Sequence, residues 1–267
     1  LSLFGNAIYL VMLPILSFFL LRDGDAIRAA IIEQFDRLDR RELIEGMGQL
    51  IGEAAQKGLM LAGEGLKPTS TRFRLSFAAG RCEVSKGPFR GDRELPQRLL
   101  VLKVTSEADA LAWARRFGEA VGATRLELGP LTEAWDLGFG TRPPDAPLRY
   151  LLLQQASEGY EAGAAPTAAQ QQGLRTVLAA MQQAGVLVFT EALRPSREGA
   201  RLVYRDNVRT RTDGPFTESK EIIGGFCMMQ MRSIDEMVAF SDRFARVVGG
   251  TCEIDVRVVA EADGGTP

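Results

Sequence analysis

An α+β fold in two tandem copies is what the sequence predicts, and three observations predict it. Residues 127 positions apart match in one unbroken register. The second copy reads as strand, helix, strand, hairpin, strand, helix, strand. That order is the split βαβ, or ferredoxin-like, pattern with an added hairpin, and it puts helices on one face of a sheet and leaves the other bare. The copies are therefore expected to cover one another as an intrachain pseudo-dimeric α/β barrel, with room for a further oligomer.

The repeat shows first at Lys57–Pro68, which lies over Ala184–Pro195 and shares Gly58/Gly185, Glu64/Glu191, Leu66/Leu193 and Pro68/Pro195. Arg74-Leu75 recurs as Arg201-Leu202, and Gly87-Pro88-Phe89 as Gly214-Pro215-Phe216. No gap is needed from about residue 45 to 124, which chance seldom sustains. The expected organisation is an apolar segment at 1–30, a first copy at 31–133, a Gly/Pro-rich linker at 134–148 and a second copy at 149–260.

The second copy is the clearer one. Arg149–Gln155 is a short apolar run, hence a buried strand. Leu174, Val177, Leu178 and Met181 share one face of a helix over 167–184, and Gly185 stands where a left-handed cap wants glycine. Val186–Thr190 reads as a strand and 201–211 as a hairpin turning at Asp206-Asn207. Gly225–Met231 follows as a strand. Ser233 and Glu236 form a capping-box signature before a helix, and the strand from Cys252 closes the copy.

Composition removes several functions. With 46% apolar and 25% charged residues the chain is globular, and a net charge of −2 without a basic stripe predicts no nucleic-acid partner. There is no histidine, so serine–histidine and cysteine–histidine nucleophiles and imidazole metal sites are excluded. Cys82, Cys227 and Cys252 make no CxxC pair and read as small buried hydrophobes of a reducing, cytoplasmic compartment. No metal and no cofactor is expected.

Residues 1–21 carry no charge, and as a helix they would span roughly 30 Å, kinked at Pro14. Two readings stand: a membrane helix, or a first strand for the first copy at Ile15–Leu21. With Phe18-Phe19-Leu20-Leu21-Arg22-Asp23-Gly24-Asp25 at its end, the stretch resembles a membrane segment of the AI-2E permease-like family, which implies membrane association through 1–21.

The run Thr212-Asp213-Gly214-Pro215-Phe216-Thr217-Glu218-Ser219-Lys220-Glu221, followed by Gly224-Gly225-Phe226, resembles the DGPF subgroup of YCII-related proteins. The resemblance covers 149–259 fully and about 41–133 more weakly. It implies a dimeric α/β barrel with a cleft between sheet and helices. Some relatives are dehydrochlorinase-type lyases with a His–Asp pair, which does not carry over to a chain without histidine.

Two readings of the motif follow. In one, Gly214-Pro215 is a rigid turn anchored by Phe216, with Asp213 bonding nearby backbone. In the other, Asp213 and Glu218 serve as base in a polar pocket with Lys220 and Glu221, since close carboxylates raise one another's pKa. Glu191 and Arg194 are candidates for a charge pair there; Tyr150 and Tyr204 offer hydroxyls but sit in strands, where tyrosines usually belong to the core. In the first copy Lys86, Gly91 and Asp92-Arg93 replace Asp213, Glu218 and Ser219-Lys220 while Gly87-Pro88-Phe89 remains. The expected function is a small-molecule-binding module. The alternatives are a cofactor-free lyase or isomerase using Asp213 or Glu218, and a membrane-tethered sensory or regulatory domain.

Overall fold

The computed structural model describes residues 7–13, 37–90, 95–137, 140–205, 208–216, 223–249 and 251–260. Its elements are β1 (Ala7–Leu13), α1 (Arg37–Gln56), β2 (Met60–Gly65), β3 (Phe73–Ala78), β4 (Arg81–Lys86), β5 (Pro96–Val104), α2 (Glu107–Val121) and β6 (Arg125–Pro130). Then come β7 (Leu148–Gln155), the short α3 (Glu158–Glu161), α4 (Ala168–Gln183), β8 (Leu187–Ala192), β9 (Ala200–Arg205), β10 (Val208–Asp213), β11 (Gly225–Met231), α5 (Ile234–Val248) and β12 (Cys252–Val258). The local signals act as their chemistry requires. Thr167 and Gln170 exchange the two hydrogen bonds of a capping box at α4, and Gly185 follows that helix at φ +66°. Ser106 and Ser233 accept the backbone N–H of Asp109 and Glu236 to start α2 and α5.

The chain forms two compact units. The first holds β1, α1, β2, β9 to β12 and α5, and its six-stranded sheet runs β10-β9-β12-β1-β11-β2. The second holds β3 to β8 with α2, α3 and α4, and its sheet runs β4-β3-β6-β7-β5-β8. The pairings are antiparallel in both. Each sheet draws on both halves of the sequence: β7 and β8 lie among strands from the first half, and β1 and β2 among strands from the second.

Within the second unit, Leu75, Leu100, Leu102, Leu126, Leu128 and Leu152 of the sheet pack with Phe117 of α2 and with Val177 and Met181 of α4. The intervening residues Leu99 and Val101 are also 0% exposed, so β5 is buried on both faces and reads as a continuous apolar run. In the first unit, Leu202, Met229, Ile254 and Val256 pack with Met237 and Phe244 of α5 and Leu50 of α1. Tyr204 belongs to this core and turns its hydroxyl to donate to Asp242 Oδ1 at 2.9 Å.

The N-terminal stretch is a strand where it is described. β1 pairs with β11 on one side and β12 on the other, the place β7 takes between β5 and β6. It precedes Ile15–Leu21, the segment expected to supply the first strand, which lies outside the described residues. Among the described residues no helix is long and apolar enough to cross a membrane.

All three cysteines are free. Burial pushes the Cys227 thiol up to about 12 and that of Cys252 up to about 11. Only the thiolate reacts. A thiol reagent at pH 8 is therefore expected to modify Cys82 alone in the native protein, and all three only after unfolding. Mass spectrometry of the labelled peptides checks this; label on native Cys227 would contradict the packing of β11.

Candidate functional site

The Gly-Pro-Phe turn has a structural task in both units. A Cβ on Gly214 would lie 1.8 Å from the Ser196 carbonyl oxygen, and one on Gly87 would lie 1.8 Å from that of Thr69, so only glycine lets the chain pass. The turn delivers Phe216 to the Arg201 guanidinium, 4.6 Å from the ring centre, and Phe89 to that of Arg74 at 4.3 Å. Arg201 grips Asp255 with two bonds of 2.7 and 2.8 Å, and Arg74 reaches Glu127 at 3.3 Å. Burial works to lower the Arg201 pKa, but the hydrogen bonds and charge of Asp255, with Glu253, raise it overall.

A second arginine is wholly buried in each unit. Arg72 gives Nη1 to Glu127 at 3.0 Å and Nε to the Lys67 carbonyl at 2.7 Å. A Cβ on Gly129 would press within 3.1 Å of its chain. In the first unit the roles are exchanged between strands: Arg257 is the buried cation, and Gly199 is the glycine beside it. These ionic clusters account for the turn without any ligand.

Asp213 ends β10, with its side chain 69% exposed, and accepts from Arg211 at 2.7 Å; Arg211 also reaches Asp235. Exposed pairs of this kind contribute little. Glu218, Lys220 and Glu221 lie outside the described residues. Tyr150 sits in the core of the second unit at 4% exposure, its hydroxyl pKa raised by burial and by the Glu107 charge. Glu191 is half-buried on β8; burial raises its carboxyl pKa and the Arg98 charge partly offsets this. Arg194 follows the buried Leu193 beyond that strand.

A cavity of about 220 Å³ opens in the second unit. Its walls are the start of β5, the end of β7, the C-terminal end of α2, the α3 segment and the first turns of α4. Gln97, Arg98, Gln154, Gln155, Tyr160 and Gln170 bring polar groups to it, and Val121 and Leu174 bring apolar surface. The register of β5 against β7 slips between Pro96 and Arg98, leaving Gln97 without an opposite number. Such a bulge re-aims side chains, and it lets the consecutive Gln97 and Arg98 both line the cavity. Tyr160 is held by donating its hydroxyl to the Leu193 carbonyl.

The cavity is cationic. Among its described lining residues Arg98 is the one charged group. Arg98 donates to Thr190 Oγ1 at 3.4 Å, a long bond, and Glu191 acts on it only through space. Burial lowers its pKa, with the Tyr160 and Glu191 charges opposing. Gln97 Oε1 is buried without a hydrogen-bond partner. A wider groove in the first unit, lined by Lys57, Gln230, Glu236, Phe240 and Arg243, differs in having matched charges. There Arg232 pairs with Glu236 at 2.9 Å and Arg243 with Glu53 at 2.6 Å.

None of Gln97, Arg98, Gln154 and Tyr160 stood out in the sequence. One signal was available: at a distance of 127, Gln97-Arg98 faces Gly224-Gly225. In the first unit a Cβ on Gly225 would lie 2.5 Å from the Glu64 carbonyl oxygen, so the position takes no side chain. No cluster of three or more metal-ligating side chains occurs among the described residues.

Antiparallel sheets with helices packed on them make this an α+β protein. Residues 148–260, which run from β7 to the end of β12, match the family model of the YCII-related domain. No curated protein and no solved structure matches the chain.

Proposed function

We propose that the chain is a small-molecule-binding module whose ligand occupies the cleft beside Arg98. The observation that carries this is a half-buried guanidinium with spare donors in the wall of a cavity. A half-buried cation whose counter-charge, Glu191, acts only through space carries a desolvation cost, and an anionic ligand reduces it. The scaffold is a duplicated YCII-related domain. Matching sheet orders and strands that recur 127 positions apart, β2 and β8 or β3 and β9, support the duplication.

The lyase or isomerase reading through Asp213 and Glu218 has no comparable support, since Asp213 is exposed and ion-paired. The membrane-tethered reading draws on the composition of residues 1–21 alone. Thermal-shift screening of the full chain against small metabolites tests binding. A ligand at a hundred times its Kd stabilises by about 2.7 kcal/mol, which for a unit of this size is a rise on the order of 5 °C. The rise is expected to vanish in Arg98→Gln. A flat response across the library would remove the reading.

A further inference from the structure

We infer that the cleft of the second unit selects a small carboxylic acid, with its carboxylate on Arg98, one molecule per chain. The inference rests on the binding reading above and goes further in naming the chemistry.

Charge comes first. Among the described lining residues Arg98 is the one charged group, and its hydrogen bond to Thr190, at 3.4 Å, leaves most of its five N–H donors uncommitted. A guanidinium fork matches the two coplanar oxygens of a carboxylate. A phosphate dianion would meet one cation here where it calls for more, so the carboxylate is the better partner.

Size is the second constraint. About 220 Å³ falls below the range of drug-sized pockets, ~300–1,000 Å³, and suits on the order of ten non-hydrogen atoms. Val121, Leu174 and Ala192 give the carbon skeleton apolar contact. Stoichiometry follows from the other unit, where Gly224-Gly225 brings neither side chain to the corresponding place.

The test is a titration of the full chain with 4-aminobenzoate and its neutral partner 4-aminobenzamide, within a panel of similar acid and amide pairs. Calorimetry and amide chemical shifts of cleft residues such as Gly122 and Gly159 are the readouts. The acids are expected to bind ten- to a hundredfold more tightly than their amides, at one per chain. That preference is expected to disappear in Arg98→Gln and to survive in part in Arg98→Lys, which keeps the charge and controls for folding. Amides that bind the cleft as tightly as acids would overturn the carboxylate inference and leave the binding module standing. If neither series perturbs the cleft, and no other small molecule does, the binding reading falls as well.

Discussion

Glu127→Ala is expected to lower the stability of the second unit by about 3–5 kcal/mol, because it strands two arginines that share one acid. Glu127 is 1% exposed, Arg72 is 0% exposed, and both Arg72 and Arg74 reach its carboxylate. Removing the acid leaves charge in a place water does not enter. Both tryptophans of the chain, Trp113 and Trp135, lie in this unit, so fluorescence-monitored urea unfolding follows it directly. The double change Glu127→Leu with Arg72→Met is expected to regain most of the loss, since apolar replacement of a buried pair is often neutral or better. Asp213→Ala serves as the contrast and is expected to stay within about 0.5 kcal/mol. A single Glu127→Ala variant within 1 kcal/mol of the parent would show that the cluster is hydrated.

Gly214→Ala is expected to cost about 3 kcal/mol or more. The added methyl would stand 1.8 Å from the Ser196 oxygen and 2.5 Å from its carbonyl carbon, and backbone cannot swing aside as a side chain does. Relief requires moving the turn, which withdraws Phe216 from Arg201. Gly48→Ala is the internal control in the same unit: it lies on an exposed turn of α1 with nothing within 4 Å of the new methyl, and alanine there is expected to stabilise by about 0.5–1 kcal/mol. Opposite signs for one chemical change, read by far-ultraviolet circular dichroism, distinguish close approach from backbone entropy. Equal effects would refute the crowding at Ser196.

The elements of the second copy were legible because local chemistry decides them. Thr167, Gly185 and Ser233 mark helix ends through bonds to their nearest neighbours, and the apolar run 149–155 makes a strand wherever it lies. Strand placement was not legible. Periodicity says which face of β8 or β2 is apolar and says nothing about which sheet accepts it, because every antiparallel edge offers the same backbone groups. The first strand was sought at Ile15–Leu21, in an apolar stretch where many windows look alike; pairing with β11 and β12 selects Ala7–Leu13. The candidate site was hidden for a related reason. Attention fell on the acidic run after Gly214, whereas the cleft is made by a bulge at Gln97, and a bulge leaves no mark in composition.

The interleaving of strands limits how this protein can be divided. A cut in the 134–148 linker would separate β7 and β8 from the four strands they complete, and β1 and β2 likewise. Neither fragment would be self-sufficient; each would hold a gap that the other's loose strands fit. Such pieces should behave as complementing partners, folding on mixing and not before.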